Sequence, residues 1–293
     1  MSNQDNEKVF QKSNINWFPG HMAKTRREIT EKLNLIDIIF EVVDARIPFS
    51  SKIKDIDDLI KDKPRIIIMT KKDLCDINKT NKWVKYYESL GYKVLLVDLL
   101  NDKNINELYK LTDDVLSSLN DIRTEKGLKE RKYRALIMGS PNVGKSTLIN
   151  KITGKKSTSV GNKPGVTKVI SWIRINDKLE LMDTPGILWP KIDDERIGLN
   201  LASFSSIKDE VIPIDEVACY ILKYMYENYK EMLIDRYGID YLDEDDYTDA
   251  YEKIGRKRGC IIRGNEVDYQ KVSNLIIRDL REGYLGRVTF DDK

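Results

Sequence analysis

Short unbroken apolar runs alternate with longer stretches in which apolar residues recur every three to four positions. This alternation holds through roughly the first 185 residues of the 293-residue chain. The runs at 36–43, 65–69, 93–97, 133–138, 169–175 and 178–182 predict strands, the last two joined by a turn at Asn176-Asp177. Between them, the spacing predicts helices over 23–35, 53–61, 79–90 (stopped at Gly91), 105–119 and 146–152, the last with Leu148, Ile149 and Ile152 on one side. Strands that alternate with helices build a mostly parallel sheet covered on both faces. Past about residue 205 the pattern changes. Val217, Tyr220, Ile221, Tyr224 and Met225 recur at helical spacing, as do Val272, Leu275, Ile276 and Leu280, and the one further strand signal is 287–290. The expectation is an α/β domain over 1–205 and an all-helical domain over 206–293.

The chemistry sits where predicted strands end. Gly139-Ser140-Pro141-Asn142-Val143-Gly144-Lys145-Ser146-Thr147 fits G-x-x-x-x-G-K-[ST], with a strand before it and a helix after it. Such a turn points backbone N–H groups and the positive end of a helix at an anion. Asn142, Val143, Gly144, Lys145, Ser146 and Thr147 then form a triphosphate cradle. Lys145 reaches the β- and γ-phosphates, and the Ser146 hydroxyl holds Mg²⁺. About 40 residues on, another strand ends in Asp183-Thr184-Pro185-Gly186. Asp183 is expected in the Mg²⁺ shell, with the Gly186 N–H facing the γ-phosphate. Thr167, in the loop between, completes the Mg²⁺ coordination only while the γ-phosphate is present; the plainer reading is an ordinary loop threonine.

Thr70-Lys71-Lys72-Asp73, at the end of the second strand, resembles the N-K-x-D guanine-specificity motif of GTPases. In that motif the carboxylate accepts two hydrogen bonds from the guanine edge and the lysine stem lies over the base. Adenine offers no such donor pair. Thr70 stands where an asparagine is usual, which loosens the expected selectivity. In ordinary GTPases the base motif follows the phosphate loop, whereas here 70–73 precedes 139–147. The order is that of a circularly permuted GTPase, a rearrangement tolerated because domain termini are often close in space.

The match becomes specific with Trp17-Phe18-Pro19-Gly20-His21-Met22, Asp44-Ala45-Arg46-Ile47-Pro48, the 139–146 loop, Asp183-Thr184-Pro185-Gly186-Ile187-Leu188-Trp189-Pro190 and Lys257-Arg258-Gly259-Cys260. Together these resemble the YlqF/RbgA-type circularly permuted GTPase family over nearly the whole chain after residue 14. The resemblance implies a circularly permuted Ras-like P-loop domain followed by a helical RNA-binding domain. It also implies hydrolysis of GTP to GDP and phosphate, late in assembly of the large ribosomal subunit and stimulated by that subunit. The family's last base-contact motif carries Ser-Ala, and Val97-Asp98-Leu99 stands there instead. That contact is largely from backbone, so Asp98 and Leu99 are the candidates for it. The glutamine that orients water in many GTPases is replaced by Ile187, which leaves His21, the only histidine, as the candidate to polarise the attacking water. The alternative for His21 is a bond to a backbone carbonyl. Asn142 is a candidate K⁺ ligand by similarity to potassium-stimulated GTPases, or it only shapes the turn.

Composition narrows the partners. At 41% hydrophobic and 33% charged residues the chain reads as a soluble globular protein. A net charge of +2 means that any nucleic-acid surface is a local patch. The candidate patch is Lys253, Arg256, Lys257, Arg258 and Arg263, directly after a stretch at 240–252 with seven acids and no base. That sign change reads equally as internal salt bridges. Ten tyrosines beyond residue 200 could stack on RNA bases, and the basic helix after His21 and residues 126–134 of the linker at 121–134 offer phosphate contacts. Three scattered cysteines give no zinc site, and no signal peptide or membrane-length run is present, so the expected setting is the cytoplasm, with no membrane or DNA partner. The expectation is an assembly factor that binds rRNA of the large subunit in a GTP- or GDP-dependent way and leaves on hydrolysis. The competing classes are a GTPase in tRNA modification and a switch that signals through protein partners.

Overall fold

A computed structural model of the chain describes residues 20–101, 105–125, 127, 131–154, 171–188, 192–243 and 245–293. Helix α1 (Gly20–Lys32) leads to β1 (Ile38–Asp44), α2 (Ile56–Ile60), β2 (Arg65–Thr70), α3 (Ile77–Ser89) and β3 (Lys93–Leu96). Then come α4 (Asn106–Glu125), β4 (Tyr133–Met138), α5 (Lys145–Thr153), β5 (Ser171–Arg174) and β6 (Leu179–Asp183). The six strands form one sheet in the order β3-β2-β1-β4-β6-β5. All neighbours are parallel except β5, which runs antiparallel to β6. That exception follows from the short turn, where Asn176 Oδ1 accepts from the N–H groups of Lys178 (2.8 Å) and Leu179 (2.9 Å).

The strand residues alternate between two apolar layers, as a period of two requires. Ile38, Phe40 and Val42 of β1, Ile66 and Ile68 of β2, and Ala135 and Ile137 of β4 pack with α4 and α5 through Leu108, Leu116, Leu148, Ile149 and Ile152. On the opposite face, Val43, Ile67 and Met69 meet Trp83 and Tyr87 of α3. Leu136, Met138 and Met182 face a larger cluster that begins with Met22 and Ile29 of α1 and runs on into the C-terminal helices. Both faces of the mostly parallel sheet are therefore covered.

The C-terminal part is helical, with α6 (Glu195–Ser203), α7 (Ile214–Asn228), α8 (Lys230–Tyr237), α9 (Thr248–Arg258) and α10 (Tyr269–Arg281). Asp194 caps α6 by accepting from the Ile197 N–H (3.3 Å), and Asp268 caps α10 through the Lys271 N–H (3.0 Å). On α10, Val272, Ile276 and Leu280 recur every four residues and are buried. Asp279, fully buried on α10, accepts from Arg236 Nε (2.8 Å) and the Tyr237 hydroxyl (3.0 Å) of α8, which locks the two helices together.

Two expectations are corrected. The start of the 121–134 linker is helical, because α4 runs on to Glu125. That stretch is polar and basic but holds no glycine or proline before Gly127, so nothing stops the helix. Residues 287–290 form no strand. The Val288 N–H donates to Leu74 O (3.1 Å) and the Phe290 N–H to Arg46 O (2.7 Å), and neither partner belongs to a strand.

Candidate nucleotide site

The phosphate loop joins β4 to α5 at the carboxyl end of the sheet, where ligands bind in open α/β folds. Its glycines are forced by close approach. A methyl group on Gly139 would run into the carbonyl oxygen of Val42, and Gly144 has φ +97° at the N-terminal cap of α5. One on Gly186 would lie 2.8 Å from Pro141 Cα, so only glycine lets the Asp183–Gly186 turn pass beside the phosphate loop. The Thr184 hydroxyl donates to Ile137 O (2.8 Å) and the Ile187 N–H to Gly139 O (3.1 Å), which fixes the two phosphate-side elements to each other. Lys145 is buried, and its Nζ donates to Gly139 O (3.0 Å) and Ser140 O (2.7 Å). Burial lowers its pKa to about 8, opposed in part by the Asp183 carboxylate. Burial likewise raises the Asp183 carboxyl to about 6, opposed by Lys145. Asp183 Oδ1 is buried with no hydrogen-bond partner among the described residues.

The base motif lies beside this loop. Thr70, at the end of β2, aims its hydroxyl between Val143 O and Val43 O, so it ties the motif to the phosphate loop. Lys71 takes a left-handed backbone (φ 59°), and its Nζ donates to Asn142 O (2.8 Å) and pairs with Asp44 Oδ2 (2.8 Å). A cavity of about 1020 Å³ is lined by Thr70, Lys71, Asp73 and Leu99 from the base side and by Asn142, Gly144 and Thr147 from the phosphate loop. Residues 70–73 and 139–147 thus meet across the permuted chain. Asp98 spends its carboxylate on its own turn, accepting from the N–H groups of Leu100 and Asn101 (each 2.9 Å) and from Asn101 Nδ2 (2.7 Å). Lys72 is exposed and Val143 is buried in the core.

The other candidates fall in several places. His21 lies in the first turn of α1, and Ile187 is fully buried among apolar side chains. Thr167, Trp17, Phe18 and Pro19 lie outside the described residues. Asn142 Nδ2 donates to Ser205 O (2.7 Å), just past α6. Lys253, Arg256, Lys257 and Arg258 are exposed on α9 and Arg263 is exposed beyond it. Lys253 pairs with Asp240 (3.7 Å) and Arg256 with Glu252 (2.9 Å), so part of the sign change is internal pairing. Arg258 instead lines the same cavity as the base motif, together with Lys271, Arg278 and Arg281 of α10.

Comparison with known proteins places this geometry. Residues 134–238 match the family described as "50S ribosome-binding GTPase". Ribosome biogenesis GTPase A of Bacillus licheniformis is 45% identical over 94% of this chain and 98% of its own. The chain belongs to the ribosome biogenesis GTPase A family. The Thermotoga maritima member is 32% identical over 94% of each chain. The crystal structure of GNP-bound YlqF from T. maritima superimposes with a TM-score of 0.63 at 28% identity, covering 92% of this chain and 98% of that one. As a family member with this domain, the protein is a GTP-hydrolysing enzyme on a circularly permuted Ras-like fold. Asp44, which pairs with Lys71, and Arg46, which lines the cavity, carry no role assigned from the sequence. Two charged residues at the carboxyl end of a buried strand, next to the strand that carries the base motif, were the available signal.

Proposed function

We propose that this chain is an assembly factor of the large ribosomal subunit. It binds rRNA in a nucleotide-dependent way in the cytoplasm, hydrolyses GTP, and is released as GDP forms. The observation that carries this reading is the shared cavity, which has the phosphate loop and base motif on one wall and basic residues of α9 and α10 on the other. The family names its members for ribosome biogenesis, and the matching family description specifies binding to the 50S subunit. Residues 206–293 are then the rRNA-facing part, with Lys253, Arg256, Lys257, Arg258 and Arg263 as phosphate contacts.

Within the site, Asp73 reads the guanine edge, the Lys71 stem covers the base, and the 98–99 backbone closes the far side. Lys145 would leave its two loop carbonyls for the β- and γ-phosphates. Asp183 and Ser146, with Thr167 as the third candidate from the sequence, would hold a Mg²⁺ ion. A buried carboxylate oxygen without a described partner, in a group pushed toward its neutral form, is what a nearby divalent cation would satisfy. When bound, Mg²⁺ offsets charge that develops on the phosphoryl oxygens. Asn142 is the candidate K⁺ ligand. Ile187 cannot orient water from inside the core, so that task falls to His21.

Co-sedimentation with large subunits tests the central claim. Retention with GTP or a non-hydrolysable analogue and loss with GDP are expected, and binding indifferent to nucleotide contradicts it. Wild-type hydrolysis by His21→Ala with subunits present removes that role, and equal rates in K⁺ and Na⁺ remove the one for Asn142.

A further inference from the structure

We propose that Asp44 is the positioning residue for the base-motif lysine, Lys71, and that Arg46 fixes Asp44 while tying it to the helical region. The proposal rests on the reading of Lys71 as the residue that covers the nucleotide base.

Lys71 has a flexible four-carbon stem and a left-handed backbone, so neither helix nor strand packing sets its direction. Two anchors set it instead. Its Nζ is held at 2.8 Å by Asn142 O and at 2.8 Å by Asp44 Oδ2. A stem pinned at its Nζ by both lines the cavity and has given up rotamer freedom before any base arrives, which is preorganisation. Asp44 is itself buried at 1% exposure, with both carboxylate oxygens engaged. Its Oδ1 accepts from the Arg46 backbone N–H and from Nε (both 3.0 Å), and Oδ2 accepts from Arg46 Nη2 (2.9 Å). Its own N–H donates to the Ser51 hydroxyl (3.0 Å). A buried ion cluster of this kind adds little stability over apolar residues of the same volume, so its geometry points to a positioning task.

Arg46 carries the arrangement onward. Its guanidinium lies 4.4 Å from the centre of the Phe204 ring, just past α6, and Nη1 donates to Arg281 O (3.2 Å) at the end of α10. Arg281 in turn donates to Ser203 O (3.0 Å) and Ala202 O (2.8 Å). The circuit closes on itself, since Asn142, whose carbonyl holds Lys71, donates its amide to Ser205 O (2.7 Å). The lysine wall of the base pocket is thus built jointly by the sheet and the helical region.

The test compares full-length Asp44→Asn, Lys71→Met and the double variant by steady-state hydrolysis and by binding of fluorescent GDP. Lys71→Met is expected to raise KM and the GDP Kd on the order of tenfold with kcat little changed. Asp44→Asn is expected to do the same, and the double variant to be no weaker than either single one, because both remove one interaction. Weakening that adds in full, or a lowered melting temperature at unchanged affinity, overturns the proposal. Unaltered affinity in Lys71→Met overturns the base-motif reading and this proposal with it. If Asp44→Asn fails to fold, Arg46→Gln, which keeps the Asp44–Lys71 pair, is expected to raise KM severalfold alone and to add nothing to Lys71→Met. Unchanged affinity there overturns the proposal.

Discussion

At the scale of single residues, the site is built from buried charge and absent side chains. Gly139→Ala drives a methyl group into the Val42 carbonyl and Gly186→Ala one into Pro141, both backbone that cannot step aside. Each is expected to cost about 2 kcal/mol or more in denaturant unfolding and to weaken nucleotide binding. Asp73→Asn exchanges an acceptor for an amide, so it is expected to lower affinity for guanosine nucleotides and raise it for xanthosine nucleotides in competition binding. The buried charges also set a pH signature. The Asp183 pKa is raised from 3.8 to about 6, so its contribution to stability is lost as pH rises through that window. Lys145 is lowered from 10.5 to about 8, so the unfolded chain binds the extra proton between those values and stability rises with pH there. Near neutrality both groups are charged and costly. Lys145→Met is therefore expected to remove the gain in unfolding free energy above pH 8, while GTP hydrolysis falls by about 100-fold or more.

At the scale of elements, apolar spacing located every strand of the sheet: β1 and β2 are buried along their whole length and have almost no polar position, while the more exposed β3 and β5 still carry apolar residues such as Val94 and Ile173. Strand β4 was legible to the residue, 133–138, from the run Tyr-Arg-Ala-Leu-Ile-Met. Polar stretches misled. The end of α4 looked like a linker by composition, yet helix propensity without a breaker carried it on. Residues 287–290 looked like a strand because Val288, Thr289 and Phe290 are β-branched or aromatic, and Phe290 is indeed fully buried, but against aromatic rings rather than in a sheet. Helix α9 holds a further case. Gly255 is interior to the helix, where alanine would normally stabilise, yet a methyl group there would strike Val267 Cγ1. Gly255→Ala is expected to destabilise by about 1–3 kcal/mol in denaturant unfolding.

At the scale of the molecule, the large apolar cluster passes without a break from α1 and the sheet into α7 and α10. The last residues then return to the α/β part. There Asp291 accepts from the N–H groups of Phe49 (2.7 Å) and Ser50 (2.8 Å), the Ser50 hydroxyl (2.5 Å) and Asn200 Nδ2 (3.0 Å). A core shared in this way is expected to melt in one calorimetric transition rather than two. Asp291→Ala strands several buried donors at once and is expected to cost about 3 kcal/mol in that transition.

The sequence alone located the glycine-rich turn at 139–147, the turn at 183–186, the stretch at 70–73, the order of those parts and the helical character after residue 205. Each depends on residues adjacent in the chain, whose spacing is itself the geometry. Only the tertiary structure decided that Asp44, Arg46 and Arg281 stand behind Lys71, and that α9 and α10 share a cavity with the base motif. Those partners lie tens to hundreds of positions apart, and an ion pair between them leaves no periodicity in the sequence. Burial creates the need for such a pair, and the packing of the whole chain chooses which charge answers which.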